Sequence, residues 1–290
     1  MKILVTGANG FVGVNLTKAM VERGFETHAI VRAASDISPI DKRVHLYRCS
    51  TDIELIDYFK KNSFTGVIHL ASLVLSSCSS DDILRLIDSN VKFGTLLLEA
   101  CKLSNVKWFI NTGTFWQNYL SEKYNPVNLY AATKEAYEVI SKYYTQTSDL
   151  IFATLKLNDT YGANDKRNKI INTMLKIAKS GEVLNMSQGE QAIDIVHIDD
   201  VVEAYILLAG CLGGANGADF GGKTFAVMAD KRLTLKNLVK KFEEIREVKL
   251  NINWGALEYR EREVMNPCGD YELVPGWRQK VSLEDGIKRL

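Results

Sequence analysis

The chain opens on a short apolar strand, Lys2 to Thr6, that runs without a spacer into Thr6-Gly7-Ala8-Asn9-Gly10-Phe11-Val12-Gly13 and then into an apolar-periodic helix. No other stretch constrains the fold as much, because a GxxGxxG turn set between a strand and a helix is the arrangement that receives a dinucleotide. Gly7 permits the tight turn, Gly10 lets the backbone approach a pyrophosphate, and Gly13 lets the helix pack closely on the strand. The helix N-terminus adds free N–H donors and the positive end of its dipole. The candidate cofactor contacts here are Gly7, Asn9, Gly10, Phe11, Val12 and Gly13.

Through the first half, short apolar runs alternate with amphipathic helical stretches, the rhythm of a parallel sheet with crossover helices. The pattern predicts strands over 2–6, 26–31, 44–48, 66–71, 107–112 and 150–157, with helices notably over 11–23, 82–103 and 128–144. Past Leu157 the alternation fades and Gly, Asn and charged residues become commoner, as in Tyr161-Gly162-Ala163-Asn164-Asp165. Residues 194–209 again read as strand then helix, and 213–222 as a glycine-rich loop before a strand over 224–228. The expected fold class is α/β, a doubly wound parallel (Rossmann) sheet with a smaller C-terminal α/β substrate-binding region. Its expected boundaries are 1–157 for the dinucleotide-binding domain, with 194–228 returning to it, and 158–290 for the substrate region. A chain of 290 residues is long enough for both.

Composition narrows the function. A formal net charge of +1, with both signs spread along the chain, gives no reason to expect nucleic acid or an anionic membrane as partner. The five cysteines are odd in number, widely spaced and free of any CxxC, which argues against a disulfide framework and a zinc site, and no metal is expected. The opening strand leaves no room for a signal peptide, and no segment approaches the ~20 apolar residues of a membrane span, so a cytoplasmic setting is expected. Small-molecule chemistry fits best.

Tyr130-Ala131-Ala132-Thr133-Lys134 places a phenol and an ammonium at i and i+4, on one face of a helix. A nearby cation favours the phenolate and is expected to bring the tyrosine toward working range. At the end of the fifth strand, Asn111-Thr112-Gly113-Thr114 is a hydroxyl-bearing turn at the carboxyl edge of the sheet, where doubly wound folds bind ligands. Thr114 is positioned to hydrogen-bond a carbonyl that Tyr130 protonates. Arg32 ends the second strand, where NAD-specific sites usually place an acid, and a guanidinium there suits a 2′-phosphate, so NADP(H) is favoured over NAD(H). After the third strand, Asp52 and Ile53 could contact adenine, while Asp52 could equally cap a helix.

With glycine turn, hydroxyl turn and YxxxK helix in order, the sequence resembles the extended short-chain dehydrogenase/reductase family, the nucleotide-sugar epimerases, dehydratases and reductases. Val67-Ile68-His69-Leu70-Ala71-Ser72 looks like its fourth-strand motif, Asn90-Val91-Lys92-Phe93-Gly94-Thr95 like its NVxGT helix, and Asp194 to Val201 like its RDxxHVDDV segment. In the tail, Arg260-Glu261-Arg262-Glu263 and Gly276-Trp277 look like its R-x-x-E and GW elements. The resemblance implies Thr114, Tyr130 and Lys134 as the catalytic triad, and Asn90 as a structural or proton-relay asparagine. It places Leu70, Ala71 and Ser72 against the cofactor, Asn158 in the substrate site, and Arg260 on the substrate pyrophosphate. His69 and His197 belong to packing motifs. The resemblance also implies a homodimer in which the helices over 82–103 and 128–144 form a four-helix bundle with a second copy.

The pattern departs from the family at Ile193, where an arginine is common, so one phosphate contact is missing or relocated. The stretch from Thr114 to Tyr130 is short, and Phe115 and Trp116, which either wall a sugar or fill core, follow the threonine. The family's 4,6-dehydratases carry an Asp-Glu pair there, so dehydration is not expected. The features look most like CDP-abequose and CDP-paratose synthases, implying NADPH-dependent reduction of the 4-keto group of a nucleotide-linked deoxyhexulose. The rival readings are a 4-epimerase that holds NAD and a dinucleotide-sensing protein without chemistry.

Overall fold

The apolar run of the first strand, β1 (Lys2–Thr6), sorts itself by alternation. Ile3 and Val5 pack into one buried cluster and Leu4 into another, so both faces of the strand are covered. The computed structural model describes residues 1–49 and 51–290, the side chain of Asp52 excepted. In the first half β1 is followed by α1 (Phe11–Glu22), β2 (Glu26–Val31), β3 (His45–Arg48), α2 (Asp52–Asn62) and β4 (Gly66–His69). A long helix then consists of α3 (Asp82–Ile87), a π-helical turn (Asp88–Lys92) and α4 (Phe93–Leu103). After it come β5 (Trp108–Thr114), α5 (Leu129–Gln146) and β6 (Ile151–Leu157).

The second half contributes β7 (Asp159–Tyr161), α6 (Ile170–Ser180), β8 (Leu184–Met186), β9 (Ala192–Ile193), β10 (Ile195–His197) and α7 (Ile198–Gly213). It ends with β11 (Thr224–Val227), β12 (Leu233–Thr234), α8 (Leu235–Arg246), β13 (Ile252–Trp254), β14 (Glu272–Leu273) and α9 (Leu283–Lys288).

Eight strands form one parallel sheet in the order β14-β11-β6-β5-β4-β1-β2-β3. Helices α1 and α7 cover one face through Leu16, Met20, Val201 and Tyr205, and α2, α4 and α5 cover the other through Phe59, Leu97 and Tyr137. The chain leaves β1 toward β2 on one side and takes up β4 on the other, which makes the carboxyl ends of β1 and β4 the switch point of the sheet. A third cluster, built on Ile171, Met174, Leu238 and Phe242, holds α6, α8 and α9 together as the smaller α/β region. Among the described residues no helix is long and apolar enough to cross a membrane.

Three differences from the expected elements bear on the site. Strand β4 ends at His69 rather than residue 71, because Leu70 and Ala71 turn against the glycine loop, where Ala71 N donates to Thr6 Oγ1 at 3.2 Å. Strand β5 runs two residues beyond 112, since Gly113 and Thr114 pair with Lys156 and Leu157 of β6. The helix expected over 82–103 contains the π turn, whose wider coil carries Asn90 inward; such insertions often sit at functional sites.

Candidate active site

Above the carboxyl ends of β1, β4, β5 and β6 lies a cleft of about 750 Å³, bounded on its far side by the smaller region. Gly7, at φ +70°, turns the chain so tightly that a Cβ there would sit 2.7 Å from Ala71 N. A Cβ on Gly13 would sit 2.1 Å from Gly7 O, so α1 packs on the turn through bare backbone. Gly10 would meet only Gly7 O, at 3.3 Å, and lines the cleft with Phe11 and Val12. No side chain caps the N-terminus of α1 and no acid stands in its first turn. Its free N–H groups therefore face the cleft as anion donors.

Tyr130 is carried into the same cleft by α5, whose start is set by Asn128. The Asn128 Oδ1 accepts from Ala131 N at 3.0 Å, and its Nδ2 donates to the carbonyls of Leu75 and Ser76, both at 3.2 Å. The phenol of Tyr130 stands beside the hydroxyls of Thr114 and Ser72. Burial pushes Tyr130 up to about 12, and those two hydroxyls pull it back only in part. This corrects the expectation that Lys134 lowers it. Lys134, 1% exposed, is itself brought down to about 8 by burial, against the opposing charge of Glu138. Its ammonium has no hydrogen-bond acceptor among the described protein groups.

Asn90 uses its whole amide on protein. Its Oδ1 accepts from Ser72 Oγ (3.0 Å) and Leu73 N (2.7 Å), and its Nδ2 donates to Leu73 O (2.9 Å) and Thr133 Oγ1 (3.0 Å). It thus fastens the segment after β4 to α5 and holds Ser72 beside Tyr130. His69, buried, shares a hydrogen bond of 2.7 Å with Thr6 Oγ1 and packs among Phe93, Phe109 and Tyr137.

Phe115 and Trp116 belong to no core cluster; both are half-buried on the cleft wall, with Trp116 edge-on to Tyr130 at 6.3 Å between ring centroids. Asn158 lines the cleft too, donating to Val227 O at 3.1 Å while its buried Oδ1 has no partner. Arg260 is exposed at the rim. Arg32 lies just past β2, exposed and outside the lining of the cleft, and Arg48 Nη1 donates to its carbonyl at 3.2 Å. Asn9 and Ala71 belong to the turn but do not line the cleft. Ile53, 73% exposed on the first turn of α2, stands away from it. Thr51, not Asp52, caps α2, accepting from Glu54 N at 3.2 Å; the Asp52 side chain lies outside the described residues, so its adenine contact does too.

A sequence model of the NAD dependent epimerase/dehydratase family matches residues 3–215. The chain belongs to this family. Among curated relatives of this epimerase/dehydratase chain, a CDP-abequose synthase of Yersinia pseudotuberculosis is 30% identical over 289 residues, covering 99% of this chain and 98% of the relative. A CDP-abequose synthase of Salmonella muenchen is 28% identical, with 100% and 96% covered. A solved UDP-glucose 4-epimerase of Thermotoga maritima, in complex with UDP-glucose, shares the fold at a TM-score of 0.86 and 23% identity, covering 100% of this chain and 97% of that one. Membership makes this chain an enzyme of a nucleotide-sugar-modifying, NAD(P)-dependent family.

The epimerase/dehydratase site fits such a cofactor on its own geometry: an uncapped helix start, a turn whose glycines leave the backbone bare, and a buried ammonium without an acceptor. Several cleft residues escaped the sequence reading. Arg167 lies over the Phe11 ring at 4.4 Å and pairs with Asp165 at 2.8 Å, and Lys169 pairs with Asp159 at 3.0 Å. Gln117 and Arg262 were also missed. Arg262 lies inside the R-x-x-E element, which pointed only to Arg260, and the others sit in no motif; loop packing brings Arg167, Lys169 and Arg262 to the cleft and buries Gln117 behind its wall.

Proposed function

We propose that this enzyme is a CDP-abequose synthase-like 4-ketoreductase, reducing the 4-keto group of a nucleotide-linked deoxyhexulose with NADPH. The observation that carries the reading is that Thr114 and Tyr130 line the same cleft wall, which continues as Phe115 and Trp116. An elimination would need a carboxylic acid and a base on that wall. The carboxylates behind it, Glu135 and Glu138, are turned to Gln117 Nε2 at 2.8 and 2.9 Å.

When bound, the nicotinamide supplies a hydride. Tyr130 gives its phenolic proton to the C4 oxygen, and Thr114 holds that oxygen by hydrogen bonding. Lys134 holds the cofactor's ribose hydroxyls, and Asn90 keeps Ser72 and α5 in register. Asn158 offers its free carbonyl to a substrate hydroxyl, and Arg260 meets the substrate's phosphates. Arg32, which has no carboxylate partner among the described residues, favours the 2′-phosphate of NADPH.

A panel of CDP-, dTDP- and UDP-linked 4-ketosugars, assayed with NADPH and NADH, tests this. The expected result is stoichiometric NADPH oxidation with at least one ketosugar, with NADPH preferred to NADH. Tightly bound NAD after anaerobic purification, with no net NADPH consumption, replaces the reductase by a 4-epimerase. Unchanged cellular function in Tyr130→Phe replaces it by a sensor.

The proposal includes a homodimer. Ile83, Leu84 and Ile87 on α3 and Val139 and Tyr143 on α5 are exposed apolar residues, at helical spacing on the two helices that a four-helix bundle would pair.

A further inference from the structure

The tail bearing Arg260 is a fixed wall of the cleft. Ala192 N of β9 donates to Met265 O at 2.8 Å. Arg232 then spans from Asp194 to the tail, with Nε on Asp194 Oδ2 at 2.8 Å, Nη1 on Pro267 O at 2.8 Å and Nη2 on Cys268 O at 3.0 Å. On this wall two guanidinium groups, Arg260 and Arg262, line the cleft. Among the described residues neither has a carboxylate in salt-bridge reach, whereas Arg167 and Lys169 of the same cleft do.

Arg262 is the more firmly placed of the two. Its guanidinium lies over the Tyr119 ring at 4.3 Å, and its Nη2 donates to Asn125 Oδ1. Its Nε is buried and has no acceptor. A guanidinium held over a ring, with a desolvated N–H left over, is a prepared donor for an anionic oxygen. Tyr119 and Asn125 belong to the loop that begins at Thr114, so Arg262 is held half-buried against that loop while Arg260 lies exposed at the rim. Ile193, on the strand beside this tail, brings no charge.

We propose that Arg262 grips the sugar-side phosphate of a nucleoside diphosphate-linked substrate, with Arg260 on the outer phosphate. This deepens the nucleotide-sugar reading and rests on it. The two unpaired cations match the two phosphates of a diphosphate, and Arg262 relocates to the tail the charge that position 193 lacks.

The test is calorimetric titration of the full chain with CDP, dTDP and UDP, and with the corresponding monophosphates, in wild type, Arg262→Met and Arg262→Lys. The expected result is a loss of ~10-fold or more in diphosphate affinity for Arg262→Met, with monophosphate and NADPH affinity within ~2-fold and partial recovery in Arg262→Lys. Equal losses for mono- and diphosphates in both variants, or no loss in either, overturn the proposal. If Arg262→Met no longer binds NADPH, the Arg262→Lys titration alone decides by the same criterion. Absence of diphosphate binding in wild type removes the nucleotide-sugar reading together with this one, whereas undiminished diphosphate binding in the variants removes only this one.

Discussion

The backbone N–H of Thr114 donates to Gln117 Oε1 at 2.9 Å, and the Gln117 side chain, wholly buried, is gripped at its other end by Glu135 and Glu138. Gln117 therefore sets where the Thr114 hydroxyl points. Replacing it with Ala frees that turn and leaves two carboxylates facing one another. Gln117→Ala is expected to lower kcat ~10- to 100-fold with little change in KM, because misplacing a positioned group is costly. Stability should fall by ~2 to 3 kcal/mol, as charge-assisted hydrogen bonds are lost. Steady-state kinetics and urea melts on the same preparations check both.

Between pH 6 and 9 the group that titrates in the cleft is Lys134 rather than Tyr130. Burial lowers Lys134 to about 8 and raises Tyr130 to about 12, so the phenol keeps the proton that the proposed reduction would draw from it. The kcat/KM for the proposed ketosugar reduction should be level below about pH 8 and fall above it, as the ammonium proposed to hold the cofactor loses its charge. Lys134→Arg should be slower yet lose that limb, since a guanidinium stays charged. Tyr130→Phe should cost ~10² to 10⁴ in kcat with NADPH affinity retained, read by fluorescence titration.

Two of the three glycines of the first turn should separate folding from binding. Gly13→Ala puts a Cβ 2.1 Å from Gly7 O and is expected to destabilise the chain by more than ~2 kcal/mol. Gly10→Ala meets only that carbonyl at 3.3 Å, so the fold should persist while NADPH affinity drops. Thermal melts with and without NADPH distinguish the two.

Acid should unfold this protein through histidine. Burial lowers His28, His69 and His197, with His69 wholly enclosed. Each binds its proton more weakly folded than unfolded, so the unfolded chain takes up protons as pH falls through about 6.5, and stability drops with it. Denaturant unfolding from pH 8 to 5 should show that decline, and His69→Gln should flatten it.

The strand-turn-helix opening and the Tyr130–Lys134 face were legible because periodicity and turn chemistry act over a few residues. Spacing of four places both side chains on one face of α5, but it carries nothing about how deeply that face is buried, and burial reversed the expected electrostatics of Tyr130. Apolar periodicity likewise passes over the single-turn π insertion that aims Asn90. Thr51 and Asp52 are adjacent good caps, and only the backbone path into α2 decides between them. Arg262 had no signal beyond a second arginine near Arg260, because its setting depends on Tyr119 and Asn125, more than a hundred residues earlier in the chain.

The order of the sheet also has a consequence for biosynthesis. Strand β11 adds to the outside of β6, and β14 to the outside of β11. A ribosome that has released residue 157 has presented six of the eight strands, yet β6 waits at an open edge for a neighbour still to be translated. Through that interval its unpaired N–H and C=O groups must be shielded from other nascent chains. Most of the sheet that binds the cofactor is made before the strands that close it.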